Sequence, residues 1–125
     1  MLESDEKILF EMTEDGILIA RPKGPLGKED FSQIETMVDP WIKAHGQLRG
    51  LVICVSKFPG WKNRDGFIHH IAFIRTHQKK IKRIAIATDG ILPKVISHVI
   101  SCFLKPEIKQ FPFDQVTQAI QWVRN

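Results

Sequence analysis

Two short runs of the chain, Leu51 to Val55 (LVICV) and Ile84 to Ala87 (IAIA), are apolar at every position. They lack the alternation that marks a strand wetted on one side, and a strand of this kind is buried on both faces, as in a parallel sheet covered by helices above and below. Parallel neighbours cannot be joined by a tight turn, so the runs demand crossover connections, which are usually helical and right-handed. The remainder of the 125-residue chain must supply those helices. A chain of this length forms one domain, here residues 1–125, and buries roughly two-thirds of the surface of its unfolded state.

The flanking sequence meets the demand. Lys7 to Met12 and Gly16 to Arg21 are β-rich and separated by Thr13-Glu14-Asp15, which predicts an N-terminal hairpin stopped by Pro22, Gly24, Pro25 and Gly27. From Lys28 to His45, Phe31, Ile34, Val38, Trp41 and His45 recur at steps of three and four, predicting a helix with that face inward and a kink or break at Pro40. Asp65 to His77 has helical length and a broad apolar sector of Phe67, Ile68, Ile71, Phe73 and Ile74. Asp89-Gly90 reads as a turn, after which Pro93 opens a second very apolar helix to Lys105, with Val95, Ile96, Val99, Ile100, Phe103 and Leu104. Ile108 to Phe113 is a short strand whose Pro112 suits an edge, and Asp114 is placed to cap a last helix with Val116, Ala119, Ile120 and Val123 inward. The predicted order, ββαβαβαβα, is that of an α/β domain: a mostly parallel five-stranded sheet with an N-terminal hairpin and about four helices.

Charge is distributed unevenly around a formal net of +4. Met1 to His45 carries ten acids against five bases, whereas Gly46 to Lys105 carries eleven bases against Asp65 and Asp89. An anionic partner for the second half is one reading, whether phospholipid headgroups, nucleic acid or an acidic protein; a solvated basic surface is the other. The basic run Lys79-Lys80-Ile81-Lys82-Arg83 has no interleaved aromatic residues to stack bases and no helix-turn-helix or RNP pattern accompanies it, so nucleic acid is not the expected partner. No apolar run reaches the ~20 residues of a membrane span. The opening MLESDEKILF is acidic where a secretory signal is basic, so a cytoplasmic location is expected.

Signals for catalysis are missing. Gly16, Gly24 and Gly27 match neither a dinucleotide fingerprint nor a P-loop. His69, His70 and His77 share one predicted helix, but seven residues separate the outer pair by about 10 Å along its axis, and His69 and His70 diverge around it. Cys54 and Cys102 lie among apolar residues and read as buried, inert thiols. A non-enzymatic chain without cofactor or metal is therefore expected.

Phe58-Pro59-Gly60-Trp61 after the third strand, the Asp65 that follows, His77 ahead of Lys82-Arg83-Ile84-Ala85-Ile86-Ala87-Thr88-Asp89, and the ending Phe111-Pro112-Phe113-Asp114 with Ala119-Ile120-Gln121-Trp122-Val123 resemble the SpoIIAA-like group of STAS and Sec14 (CRAL-TRIO) type domains. The resemblance spans essentially the whole chain. It implies a superhelix of βα units with strands in sequential order, and a binding or signalling role without catalysis. Bacterial STAS switch proteins carry a phosphorylated serine after the third strand in an Asp-Ser-Ser pattern. Here the stretch is Val55-Ser56-Lys57-Phe58, without the acidic neighbour, so a phosphoserine switch at Ser56 is not expected.

The helices Asp65–His77 and Pro93–Lys105 are more apolar than one buried face requires. Core packing is one way to absorb the surplus. The other is an apolar pocket or a membrane contact, in which Trp61, Phe67, Ile71, Ile74, Leu92, Ile96, Ile100 and Phe103 line a site for a small apolar or lipid-like ligand. Lys57, Lys62, Arg64 and Lys94 would then attract anionic groups, including an anionic membrane surface. From a different class, a protein-interaction module similar to an anti-sigma-factor antagonist would present the loop from Ser56 to Asn63 to a protein partner. A second copy of the chain, forming a homodimer, is another candidate cover for the sheet. The lipid reading predicts salt-sensitive flotation with anionic vesicles, weakened by Trp61→Ala and by Lys62→Glu; no flotation at low salt removes the membrane contact.

Overall fold

The computed structural model describes residues 8–56, 60, 63–89 and 107–125. The chain opens as a hairpin of β1 (Ile8–Met12) and β2 (Ile17–Pro22). Thr13 closes its turn: the hydroxyl donates to Asp15 Oδ1 at 2.6 Å and accepts the Ile17 N–H at 3.0 Å. Helix α1 (Lys28–His45) follows, then β3 (Leu48–Cys54), α2 (Arg64–His77), a short 3-10 turn (Gln78–Lys80), β4 (Ile81–Ala87), β5 (Glu107–Phe111) and α3 (Val116–Arg124). The predicted helix Pro93–Lys105 lies outside the described residues.

The five strands lie in the order β1-β2-β3-β4-β5, antiparallel in the first pair and parallel in the other three. The wholly apolar runs occupy the centre, with Leu51 opposite Ile84 and Val52 opposite Ala85. Helices cover both faces. On one, Leu18, Ala20 and Leu48 pack with Phe31, Ile34, Val38 and Ile42 of α1 and Phe73 of α2. On the other, Ile17, Ile19, Val52, Cys54, Ala85 and Ala87 pack with Ala119 and Val123 of α3. Full burial of each large aliphatic chain contributes about 1.5–3 kcal/mol, so two such layers suffice to hold a small sheet. Coverage is not uniform: Val52 and Cys54 are buried, whereas Leu51 and Ile53 are half-buried.

Polar contacts pin the helices. Asp30 is buried in the first turn of α1 and its Oδ2 accepts the Gly27 N–H at 2.8 Å. The Arg83 side chain stands over the Trp122 ring at 5.1 Å, donates to the Trp122 carbonyl at 2.7 Å and meets Glu107 at 3.1 Å, fixing α3 against β4 and β5. Arg124 Nε donates to Asp15 Oδ2 at 2.6 Å, and that hydrogen bond holds the Asp15 carboxyl down at about 2.

Three local expectations are corrected. The alternative of a break at Pro40 is overturned: α1 is one helix from Lys28 to His45, and Pro40 and Thr36, whose carbonyl loses its backbone donor there, are both exposed to solvent. His45 does not face inward; it is exposed and stacked on Trp41 with ring centroids 3.9 Å apart, and Ile42 takes the buried position. Asp114 does not cap the last helix. Pro112 to Gln115 form a turn closed by the Gln115 N–H on the Pro112 carbonyl at 2.9 Å, so the helix starts after Gln115.

Close approach of α3 to the sheet depends on Gly50, whose missing Cβ would collide with the Val123 side chain. Gly50→Ala should destabilise the fold by about 1–3 kcal/mol, as overpacking does. Gly24→Ala, at a position with open space around it, should stay within about 0.5 kcal/mol of the parent. Urea denaturation of the two variants checks this.

Candidate functional site

Helix α2 carries the predicted ligand residues that fall among those described. It starts where Asn63 Oδ1 accepts the Gly66 N–H at 2.9 Å, a side-chain cap of the ordinary kind. Gly66 lies so close to the Leu26 carbonyl that a Cβ there would overlap it, and this close approach brings α2 down onto the loop before α1. The side turned inward is then Gly66, His70, Phe73 and His77, at steps of four, three and four. His70 stacks on Phe31 with centroids 4.9 Å apart, Phe73 lies 6.1 Å from the same ring, and His77 stacks on Phe73 at 4.3 Å.

The sequence pattern gave Phe67, Ile68, Ile71, Phe73 and Ile74 as one broad apolar sector; of its described side chains Phe73 is the buried one, and the inward side is made of rings and a glycine. Ile71 and Ile74 are half-buried and Ile68 is 51% exposed. The three follow at three-residue steps, each rotated by about 60° around the helix axis, so they form a flank running from solvent toward the core. Arg64 is exposed in the first turn. Phe67 belongs to α2, but its side chain lies outside the described residues, as do Lys57, Trp61, Lys62, Leu92, Lys94, Ile96, Ile100 and Phe103. Of the predicted set, Arg64, Ile71 and Ile74 therefore lie on α2 among the described side chains, and Ile68 and Arg75 share that helix.

Histidines on α2 have distinct environments. His69 is exposed, with Nδ1 2.8 Å from the Asp65 carbonyl. Burial against the α1 surface pushes His70 down to about 4. The His77 side chain is only 4% exposed; Nδ1 is 3.0 Å from the Phe73 carbonyl and Nε2 is 2.8 Å from Asp39 Oδ1, with Glu35 Oε2 at 3.9 Å. Among the described residues, Glu35, Asp39 and His77 are the group that could hold a metal ion. Sequence reasoning compared the histidines only with each other and missed this trio, because Asp39 and His77 are 38 positions apart. Glu35 and Asp39 at i and i+4 on one helix were the available half of the signal.

The other reactive groups are quiet. Cys54 is buried in the central strand, and burial raises its thiol above the ordinary range. Ser56 is exposed just past β3, and its carbonyl accepts from the Thr88 hydroxyl at 3.2 Å and the Asp89 N–H at 3.3 Å. No helix among the described residues is long and apolar enough to cross a membrane.

A sheet of sequential strands with an antiparallel leading strand and helices on both faces defines an α/β domain of STAS type. The chain belongs to the SpoIIAA-like family, whose sequence profile matches residues 17–124. It is similar in fold to the crystal structure of an uncharacterised protein with a SpoIIAA-like fold from Shewanella loihica PV-4, at 22% identity and a TM-score of 0.65, over 93% of this chain and 91% of that one. No curated protein matches it.

The His70 environment sets a pH dependence. Unfolding restores an ordinary imidazole near 6.5, so between that value and about 4 the unfolded chain binds a proton that the folded one refuses. This contribution to stability is fully present above 6.5 and lost as pH falls toward 4, on the order of 3 kcal/mol. His70→Phe should flatten the slope of stability against pH in that window, measured by urea denaturation, and the His70 ring should titrate with a midpoint near 4 by NMR.

Proposed function

We propose that this chain is a non-catalytic binding module whose α2 flank receives the apolar part of a small amphipathic ligand. The observation that carries the reading is Ile68, 51% exposed in the middle of α2 and continued by half-buried Ile71 and Ile74. A single exposed isoleucine is ordinary. Here Arg64, Ile68, Ile71 and Arg75 are spaced by four, three and four residues, so an apolar pair on one helical face is bracketed by exposed guanidinium groups. Arginine suits planar, bidentate recognition of carboxylate or phosphate, and the isoleucines suit an alkyl chain. A fatty acid or a lysophospholipid has that chemistry, and so does the surface of an anionic membrane.

Titration of the full chain with a fluorescent fatty acid and with a lysophospholipid tests this. Wild type should bind, and Ile68→Asp should lose about 10–100-fold in affinity, the equivalent of one aliphatic side chain's burial, with thermal unfolding little changed. Arg64→Glu with Arg75→Glu should weaken binding most at low salt. No binding of either probe by wild type overturns the reading. A protein partner retained in the absence of lipid, and lost in Ile68→Asp, would instead assign the same face to a regulatory interaction module.

A further inference from the structure

The Glu35, Asp39 and His77 trio lies away from the flank just described and is built around a buried ring. The backbone carbonyl of Phe73 can only accept, so its 3.0 Å contact places a proton on His77 Nδ1. Stacking on Phe73 and burial to 4% exposure hold the ring in that orientation. Nε2 is thereby aimed out of the core at two carboxylates on consecutive turns of α1, Asp39 at 2.8 Å and Glu35 at 3.9 Å.

With its proton on Nδ1, a neutral His77 offers the Nε2 lone pair on the same side as the two carboxylates, a donor set that can take up a cation in place of the Nε2 proton that otherwise bonds Asp39. A proton on Nε2 satisfies Asp39 but leaves Glu35 at 3.9 Å, beyond a hydrogen bond. We propose that Glu35, Asp39 and His77 form a site for a divalent transition-metal ion of the zinc class, joining the middle of α1 to the end of α2. Each residue offers one donor atom and the three atoms lie within 4.8 Å of one another; the Asp39 and His77 atoms, 2.8 Å apart, would open slightly and half-exposed Glu35 would rotate in to reach the ~2.0–2.2 Å bonds that zinc requires. The donor set selects the ion. One imidazole with two carboxylates and no thiolate favours zinc, cobalt(II) or manganese(II) over soft copper(I), and an imidazole ligand disfavours calcium and magnesium. A backbone carbonyl on the far ring nitrogen is the outer partner that metal-bound histidines have. Exposure of Asp39 at 58% and Glu35 at 42% leaves an open path for the ion and room for water ligands.

Zinc binding to the full chain, measured by competition with a chromophoric chelator, tests the site together with cobalt(II) absorption. One equivalent should bind, raise the thermal midpoint and give a cobalt spectrum without a thiolate charge-transfer band. Asp39→Asn and Glu35→Gln, both on the exposed side of α1, should fold normally and lose at least about tenfold in affinity, with His77→Gln losing more. His45→Gln and His69→Gln should bind as wild type. Absence of stoichiometric zinc binding, a thiolate band in the cobalt spectrum, or unchanged affinity in Asp39→Asn each overturns the proposal. If Asp39→Asn lowers stability in metal-free protein while wild type takes up no zinc, the trio is a proton-held ion pair and the metal site is refuted.

Discussion

Parallel pairing of β3 with β4 governs this molecule. Once Val52 lies beside Ala85 and Leu51 beside Ile84, both faces of the sheet are apolar and each must be covered. Helix α3 covers one so closely that β3 carries glycine at 50, directly under Val123. Arg83 then anchors the same helix through its stack on Trp122, while Arg49 donates both to the Asp15 carbonyl and to the Arg124 carbonyl. With Arg124 on the Asp15 carboxylate, these contacts tie the hairpin turn, the start of β3 and the chain's last helix into one polar cluster at the end of the sheet where β2 and β3 begin.

The opposite face is covered in a less usual way. Helix α2 meets α1 through aromatic and imidazole rings rather than through its isoleucines, because Gly66 lets its first turn descend onto Leu26 and the rotation that follows points His70, Phe73 and His77 inward. Two consequences come from one rotation. An imidazole is held neutral beside Phe31, and an apolar flank with arginines at either end is left facing outward. His77, at the end of the same stripe, meets the acidic side of α1, so the interface that excludes the isoleucines also creates the histidine and carboxylate cluster.

Membership of the SpoIIAA-like family accounts for the architecture, and the structural neighbour from Shewanella loihica PV-4 shares the fold. The functional reading rests on side chains instead. Burial of Cys54 raises its thiol above the ordinary range, and the proposed binding face is the stretch of α2 where exposed arginines bracket apolar residues. Asp39 of α1 and His77 of α2 lie 2.8 Å apart, a polar contact across the interface of the two helices.

Local periodicity was enough to read the hairpin, the span of α1, the two central strands and the inward residues of α3, since each depends on neighbours within a few positions. Short motifs such as Phe58-Pro59-Gly60-Trp61 carried the family resemblance, and the resemblance implied the sequential order of strands. What periodicity could not supply was the rotation of α2. Hydrophobicity alone marks one broad apolar sector, and which part of it is buried is decided by how near two backbones can come at Gly66 and by flat rings that stack only when brought together. The same holds for Pro40, tolerated because its side of α1 is wet, and for Glu35, Asp39 and His77. Sequence alone determined which of the described segments form strands and helices, because backbone propensity and patterning act over one or two turns. Only the tertiary structure decided which helix face is hidden and which distant polar groups meet, because those depend on packing distances between elements far apart along the chain.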